Sequence, residues 1–187
     1  VTDIAVNGVG FDFTQAGTTL TFDQAGYKAT KQHGVVELTV SGEDFSYRLN
    51  VLNVSKIITT ADELLNLKSY APNKKTYSWE LWGGTASEEN YDGYFILGAN
   101  IDLGDSKVKN VKSVVRIWYD VEASAGFSGV FDGQGYTING GVYGQGGLFG
   151  YLWKTGVVKN VAFVNAKISA EAFSNIIGVS LWGRLEN

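Results

Sequence analysis

Phe127-Ser128-Gly129-Val130-Phe131-Asp132-Gly133-Gln134-Gly135-Tyr136-Thr137-Ile138 is the stretch on which the fold turns. Short apolar runs alternate with Asp-Gly and Gln-Gly steps, the pattern of brief strands joined by tight turns. The pattern then returns as Gly147-Leu148-Phe149-Gly150-Tyr151-Leu152-Trp153 and Val157-Val158-Lys159-Asn160-Val161. It returns again as Ile177-Gly178-Val179-Ser180-Leu181-Trp182 and Arg184-Leu185-Glu186-Asn187. Leu152-Trp153 matches Leu181-Trp182, and Lys159-Asn160 matches Glu186-Asn187. The offset is roughly 28 residues, within the range of solenoid repeats.

A repeat of this size cannot cover its own apolar face. Its Leu, Ile, Val and Phe residues are buried only when copies stack, and glycines at the corners permit the turns between strands. The expectation is a short right-handed parallel β-helix over 57–187. Asn160 is expected to stack inside a turn and to bond between rungs, with Asn187 in the next rung. The last copy stops at Asn187 without a capping element, so the natural protein is expected to continue.

Upstream, Phe45, Tyr47, Leu49 and Val51 alternate with polar residues after the Ser41-Gly42-Glu43-Asp44 turn, and Val35-Val36-Glu37-Leu38-Thr39-Val40 precedes them. Several strands at about ten-residue spacing lead us to expect an incomplete immunoglobulin-like sandwich segment over 1–56. Between the two regions, Thr60 and Glu63 form a capping box, and Leu64, Leu65 and Leu67 give an apolar stripe. A short helix is expected from about Ala61 to Tyr70, ended by Ala71-Pro72-Asn73. The fold class read here is all-β.

Composition narrows the function classes. The 24 glycines exceed the usual share of about 7% and fit a turn-rich β chain. The formal net charge of -4, with no block of like charge, gives no basic footprint for nucleic acid. No apolar run reaches the roughly 18 residues of a membrane span. The chain has no cysteine, which removes disulfides and thiolate metal sites. It begins at Val1 and has no methionine, so a removed signal peptide or upstream segment is expected.

Gly147-Leu148-Phe149-Gly150 resembles the motif of the GLUG-type repeat region of bacterial surface proteins. The run from Phe131 to Ile138 (FDGQGYTI) is similar to the rung that precedes those repeats. Ile58 to Leu65 (ITTADELL) and Tyr94 to Leu103 (YFILGANIDL) are similar to their lead-in. The stretch from Val35 to Val54 resembles the closing strands of a bacterial immunoglobulin-like domain. The resemblance implies an exported, multi-domain protein at the cell surface, where such regions project neighbouring domains. It implies no catalytic residues, no cofactor and no metal.

The chemistry-bearing residues are weighed on the same footing. His33, the single histidine, sits in a Lys31-Gln32-His33-Gly34 turn, and neither a triad nor a histidine zinc site can be built on it alone. Asp102, Asp105, Asp120, Glu122 and Asp132 fall near rungs. A suitable carboxylate pair would serve a polysaccharide-active β-helix enzyme, and Asp102 with Asp105 would offer oxygen ligands to calcium. Asp132 in its Asp-Gly turn reads more simply as a turn-former. Gly144-Gln145-Gly146-Gly147 lacks the Lys-Ser/Thr of a phosphate loop. Trp79, Trp82, Tyr91 and Trp118 lie in the less regular region and form the candidate sugar-stacking set. The reading is a non-catalytic structural or adhesive module. Glycans or extracellular matrix components are its partner class, and a carbohydrate-binding module is the first alternative.

Overall fold

The computed structural model of the chain describes residues 1–22, 33–81, 84–109, 114–115, 120–121, 124–170, 174–178, 180–181 and 183–187. Strands dominate, so the chain is all-β. It divides into two compact units, Val1–Val54 and Ser55–Asn187.

In the first unit, β1 (Asp3–Val6) and β2 (Val9–Gly10) form a hairpin in which Val6 pairs with Val9. Its two-residue turn is Asn7-Gly8, with φ of 48° and 80°. Asn-Gly suits such a turn because both positions need positive φ. β3 (Phe13–Ala16) and β4 (Thr19–Phe22) form a second hairpin. β5 (Gly34–Ser41) pairs antiparallel with β1 and with β6 (Ser46–Asn53), giving the strand order β2-β1-β5-β6. Ile4, Val6, Leu38, Val40, Tyr47 and Leu49 share one face by this register.

The second unit is built on three parallel ladders. The first contains β7 (Lys56–Ile58), β10 (Tyr94–Leu97), β15 (Val130–Asp132), β18 (Val157–Lys159) and β22 (Arg184–Glu186). The second contains β9 (Gly84–Asp92), β14 (Ser124–Phe127), β17 (Tyr151–Leu152) and β21 (Ser180–Leu181), with β8 (Asn73–Leu81) antiparallel on β9. The third contains β11 (Ile101–Val108), β16 (Thr137–Tyr143), β19 (Ala162–Val164) and β20 (Lys167–Ile168). From β9 onward the chain visits second, first and third ladder in turn, then begins again. The short hairpin of β12 (Val114–Val115) and β13 (Asp120–Val121) interrupts the first circuit.

Register places like on like. Phe95, Phe131 and Val158 occupy successive inward positions of the first ladder and are at most 3% exposed. Tyr91, Phe127 and Leu152 do so in the second ladder. Ile101 with Ile138, and Val108 with Tyr143, do so in the third. Rings meet in the middle: Phe127 lies 5.2 Å from Tyr91 on its own ladder, 6.0 Å from Phe95 of the first ladder and 5.0 Å from Phe149 of the 147–150 corner, and Phe131 lies 5.3 Å from Phe149. Such contacts add to the burial of each large apolar side chain.

The corners show why glycine recurs. The amides of Val130, Val157 and Arg184 donate to the carbonyls of Gly93, Gly129 and Gly156, one circuit earlier. A Cβ on Gly129 would stand 2.2 Å from the Gly93 oxygen, and one on Gly183 2.2 Å from the Gly156 oxygen. Backbone stacked on backbone leaves no room for a side chain there. Leu152 with Leu181, and Lys159 with Glu186, the residues aligned by sequence, are direct partners on neighbouring strands.

The expected helix is present but shorter. α1 spans Ala61–Leu65, and a 3-10 turn follows over Leu67–Tyr70. The Glu63 amide donates to Thr60 Oγ1 at 3.2 Å, as a capping box requires. The Glu63 carboxylate reaches Thr59 instead of Thr60, accepting from its amide at 2.8 Å and from its hydroxyl at 3.0 Å. Lys56 pairs with the same carboxylate. These donors hold the Glu63 carboxyl down at about 2. Leu64 and Leu67 are buried in the ladder core, and α1 packs on β11.

Candidate functional site

Asp132 is the one buried charged residue among the described residues, at 4% exposure. It ends β15, where the chain turns through Gly133, Gln134 and Gly135, with φ of 52° at Gln134 and 81° at Gly135. Its Oδ1 accepts from the Gln134 amide at 3.0 Å, the self-bonded turn expected of an Asp-Gly step. The same oxygen accepts from Asn160 Nδ2 at 3.0 Å, one circuit later. Its Oδ2 lies 3.3 Å from Lys159 Nζ and 3.5 Å from the Tyr94 hydroxyl, one circuit earlier. Lys159 also lies over the Tyr94 ring, 5.8 Å from its centroid. One carboxylate therefore ties three consecutive rungs of the first ladder.

Electrostatics decides what this cluster does. Burial alone would raise the Asp132 carboxyl; the Gln134 amide, Asn160 and Lys159 outweigh it and hold the group below the ordinary carboxylate range. Burial alone would lower the Lys159 ammonium; Tyr94 and Asp132 outweigh that and hold it raised. A general acid needs a raised carboxyl and a general base a lowered amine. Both groups move the other way, so the two stay charged together as an ion pair.

Asp102 and Asp105 are also engaged. Asp102 Oδ1 accepts from the Gly104 amide and from Asn139 Nδ2, both at 3.0 Å. Asn139 Oδ1 in turn accepts from Asn165 Nδ2 at 2.8 Å, which makes a polar ladder along the third sheet. Asp105 pairs with Lys167 at 2.7 Å, so the two aspartates weighed for calcium each have a partner within the protein. No group of three or more His, Cys, Asp or Glu among the described residues is placed to hold a metal ion. Asp120 contributes backbone to β13, and Glu122 lies outside the described residues. His33 is half-buried at the entry to β5.

Gly147-Leu148-Phe149-Gly150 forms a corner turn, with φ of 52° at Gly147 and 75° at Gly150. That geometry drives Leu148 and Phe149 into the core at 2% and 0% exposure. Their amides donate to the carbonyls of Ile176 and Ile177, at 2.9 and 3.0 Å. Asn175-Ile176-Ile177-Gly178 is thus the segment that stacks on this corner one circuit later, with Asn in the place of the first Gly. Asn160 also has φ of 52°, and its rung partner below is Asp132. Asn160 and Asn187 line one open groove of about 380 Å³ with Gln134, Gly135, Val161 and Ala162.

The aromatic candidates separate. Tyr91 is 2% exposed against Phe127, so it offers no face to a sugar, and burial pushes its hydroxyl up. Trp79 lies in β8 opposite Ala86, with its side chain outside the described residues. Trp82 and Trp118 lie outside them altogether. No helix among the described residues is long and apolar enough to cross a membrane. No family model matches the chain, and neither a curated protein nor a solved structure is detectably similar to it.

Proposed function

We propose that the chain is a non-catalytic structural or adhesive module of a secreted or surface-anchored bacterial protein. In this reading 57–187 is a short right-handed parallel β-helix with GLUG-like repeats, and 1–56 is an immunoglobulin-like segment. The observation that carries it is the cyclic visiting of three parallel ladders in register, with glycine at equivalent corners. Right-handed crossover is the general rule for parallel strand connections. A stack in which every rung bonds to the next makes a stiff spacer, which suits a part that presents its neighbours away from a surface. The one buried acid among the described residues, Asp132, is taken up by Gln134, Asn160 and Lys159 in tying rungs together, which is why we prefer the spacer reading to a polysaccharide-active enzyme.

Single-molecule pulling on the chain tests the spacer reading. The expected record is one cooperative, high-force release of the second unit. Coil-by-coil yielding at low force would contradict it. A glycan array with the intact chain and its Trp79→Ala variant tests the adhesive arm. Binding that is lost in the variant makes this a carbohydrate-binding module, whereas silence leaves the spacer reading.

A further inference from the structure

The chain holds two Asn-Gly steps, Asn7-Gly8 and Asn139-Gly140. In such a step the glycine nitrogen can attack the asparagine Cγ, because no Cβ obstructs its approach. The fold sets the two steps in opposite situations. Asn7-Gly8 is the exposed turn of the β1–β2 hairpin, and β2 is a two-residue strand at the edge of its sheet. A Cβ at Gly8 would meet nothing within 4 Å, and among the described residues the Gly8 amide has no hydrogen bond. Asn7 is anchored to β5 instead: its amide donates to the Glu37 carbonyl, and its Oδ1 accepts from the Glu37 amide, both at 2.8 Å. Asn139-Gly140 lies inside β16, paired with β11 on one side and with β19 and β20 on the other. Asn139 Nδ2 donates to Asp102, and its Oδ1 accepts from Asn165. Gly140 is buried, and a Cβ there would stand 2.6 Å from the Gly104 oxygen.

We propose that Asn7 is a self-modifying site that loses its side-chain amide to attack by Gly8, while Asn139 is spared. Separation of β2 from β1 frees the Asn7–Gly8 peptide to rotate, and the Glu37 contacts stay, since they belong to β5. The Glu37 amide is then a fixed donor to Oδ1, where negative charge develops when Cγ is attacked. The Gly8 nitrogen gives its proton to water and bonds to Cγ. The Cγ–Nδ2 bond breaks, and Nδ2 takes up a proton and leaves as ammonia. Water then opens the cyclic imide. Cleavage of the new bond leaves aspartate; cleavage of the original peptide bond leaves isoaspartate, with the backbone routed through Cγ. The two products differ in consequence. Aspartate keeps an oxygen for the Glu37 amide. Isoaspartate adds a backbone methylene to a turn that needs positive φ at both positions, so Val9 loses its pairing with Val6. The modification is one-way, and it strips β2 from the sheet edge.

Incubation of the full chain in mildly alkaline buffer, followed by peptide mapping that resolves aspartate from isoaspartate, is the test. Local opening costs far less at a fraying edge than inside a paired strand. Asn7 is therefore expected to convert at least about tenfold faster than Asn139, with both products at position 7. In concentrated urea, where neither step has a fold around it, the two rates are expected to come together. An Asn7 that stays intact, or converts no faster than Asn139, overturns the proposal. A difference that persists in urea also overturns it, because local sequence and not the fold would then be the cause. Hydrogen exchange at Val9 reads the consequence: protection is lost in the isolated isoaspartate form and kept in Asn7→Asp. Protection retained in the isoaspartate form overturns the loss of β2.

Discussion

Tyr47 and Leu49 of β6 alternate with polar neighbours, and so does Ile138 of β16, yet their fates diverge. In the first unit Tyr47 is 65% exposed and Leu49 53%, while Ile4 and Val6 on the same sheet face are 2% and 3%. In the second unit Phe95, Phe131 and Ile138 are fully buried. Alternation assigns a residue to a face; it does not supply a cover for that face. In the ladder unit the cover comes from the neighbouring ladder and from the 147–150 corner: Phe95 meets Phe127 at 6.0 Å, and Phe131 meets Phe149 at 5.3 Å. In the antiparallel sheet cover fades from β1 towards the edge strand β6.

The sharpest way to break this contrast is to truncate one residue on each side. Phe131→Ala is expected to cost the second unit roughly 3–5 kcal/mol, as a fully buried ring leaves a cavity. Tyr47→Ala is expected to cost the first unit less than about 1 kcal/mol. Hydrogen exchange read separately for the two units in denaturant measures both. Equal costs would erase the distinction.

Gly129→Ala comes next, at up to about 3 kcal/mol, because its Cβ would press on the backbone of Gly93 and not on a movable side chain. Gly8→Ala meets no atom within 4 Å and has only its positive φ of 80° to resist it, so about 1–2 kcal/mol is expected. Thermal unfolding of the two variants should rank them in that order.

Asp132→Ala is expected to cost about 2 kcal/mol, since it orphans a lysine and an amide across three rungs. Its pH signature follows from the lowered folded-state value. The stabilisation is complete above the ordinary aspartate value of about 3.9 and is lost as pH falls below it. Denaturation midpoints of wild type and variant should therefore converge in acid. A gap that stays constant with pH would remove the carboxylate from the account.

The smallest effect has the opposite sign. The Tyr143 hydroxyl is buried with no hydrogen-bond partner among the described residues, and burial pushes it up to about 12. Tyr143→Phe removes that unsatisfied group, so it is expected to be neutral or to stabilise by up to about 1 kcal/mol. A raised folded-state value favours the neutral phenol. Its stabilisation holds below the ordinary value of about 10 and is lost as pH rises from 10 towards 12. Tyr143→Phe should soften that alkaline loss, as urea denaturation across the range would show.

Much of the ladder unit was legible because its repeat leaves residue-level marks. Leu152 and Leu181, and Lys159 and Glu186, stand in matching places and turn out to be hydrogen-bonded neighbours. The Thr60–Glu63 box announced α1. What stayed hidden has physical reasons. The first circuit spans 36 residues from Phe95 to Phe131 against 27 from Phe131 to Val158, because the β12–β13 hairpin interrupts it. The Gly93–Gly129–Gly156–Gly183 column therefore has no constant period to detect. Tyr91 reads as a loop aromatic until its strand is placed beside β14. Asn160 aligns by sequence with Asn187, whereas its bond runs back to Asp132, whose buried role no spacing rule reveals.

Dipolar broadening between paired nitroxide labels tests the ladder register most directly, and the absence of cysteine makes the labelling clean. Thr137 lies opposite Ala162 on adjacent rungs, while Asn100, which accepts from the Thr137 amide, lies one rung further away. Labels at Thr137→Cys with Ala162→Cys should broaden strongly, at a backbone spacing of about 5 Å. Labels at Asn100→Cys with Ala162→Cys should broaden less, at about twice that spacing. Broadening that is absent from the first pair, or no stronger there than in the second, would contradict the stacked ladders.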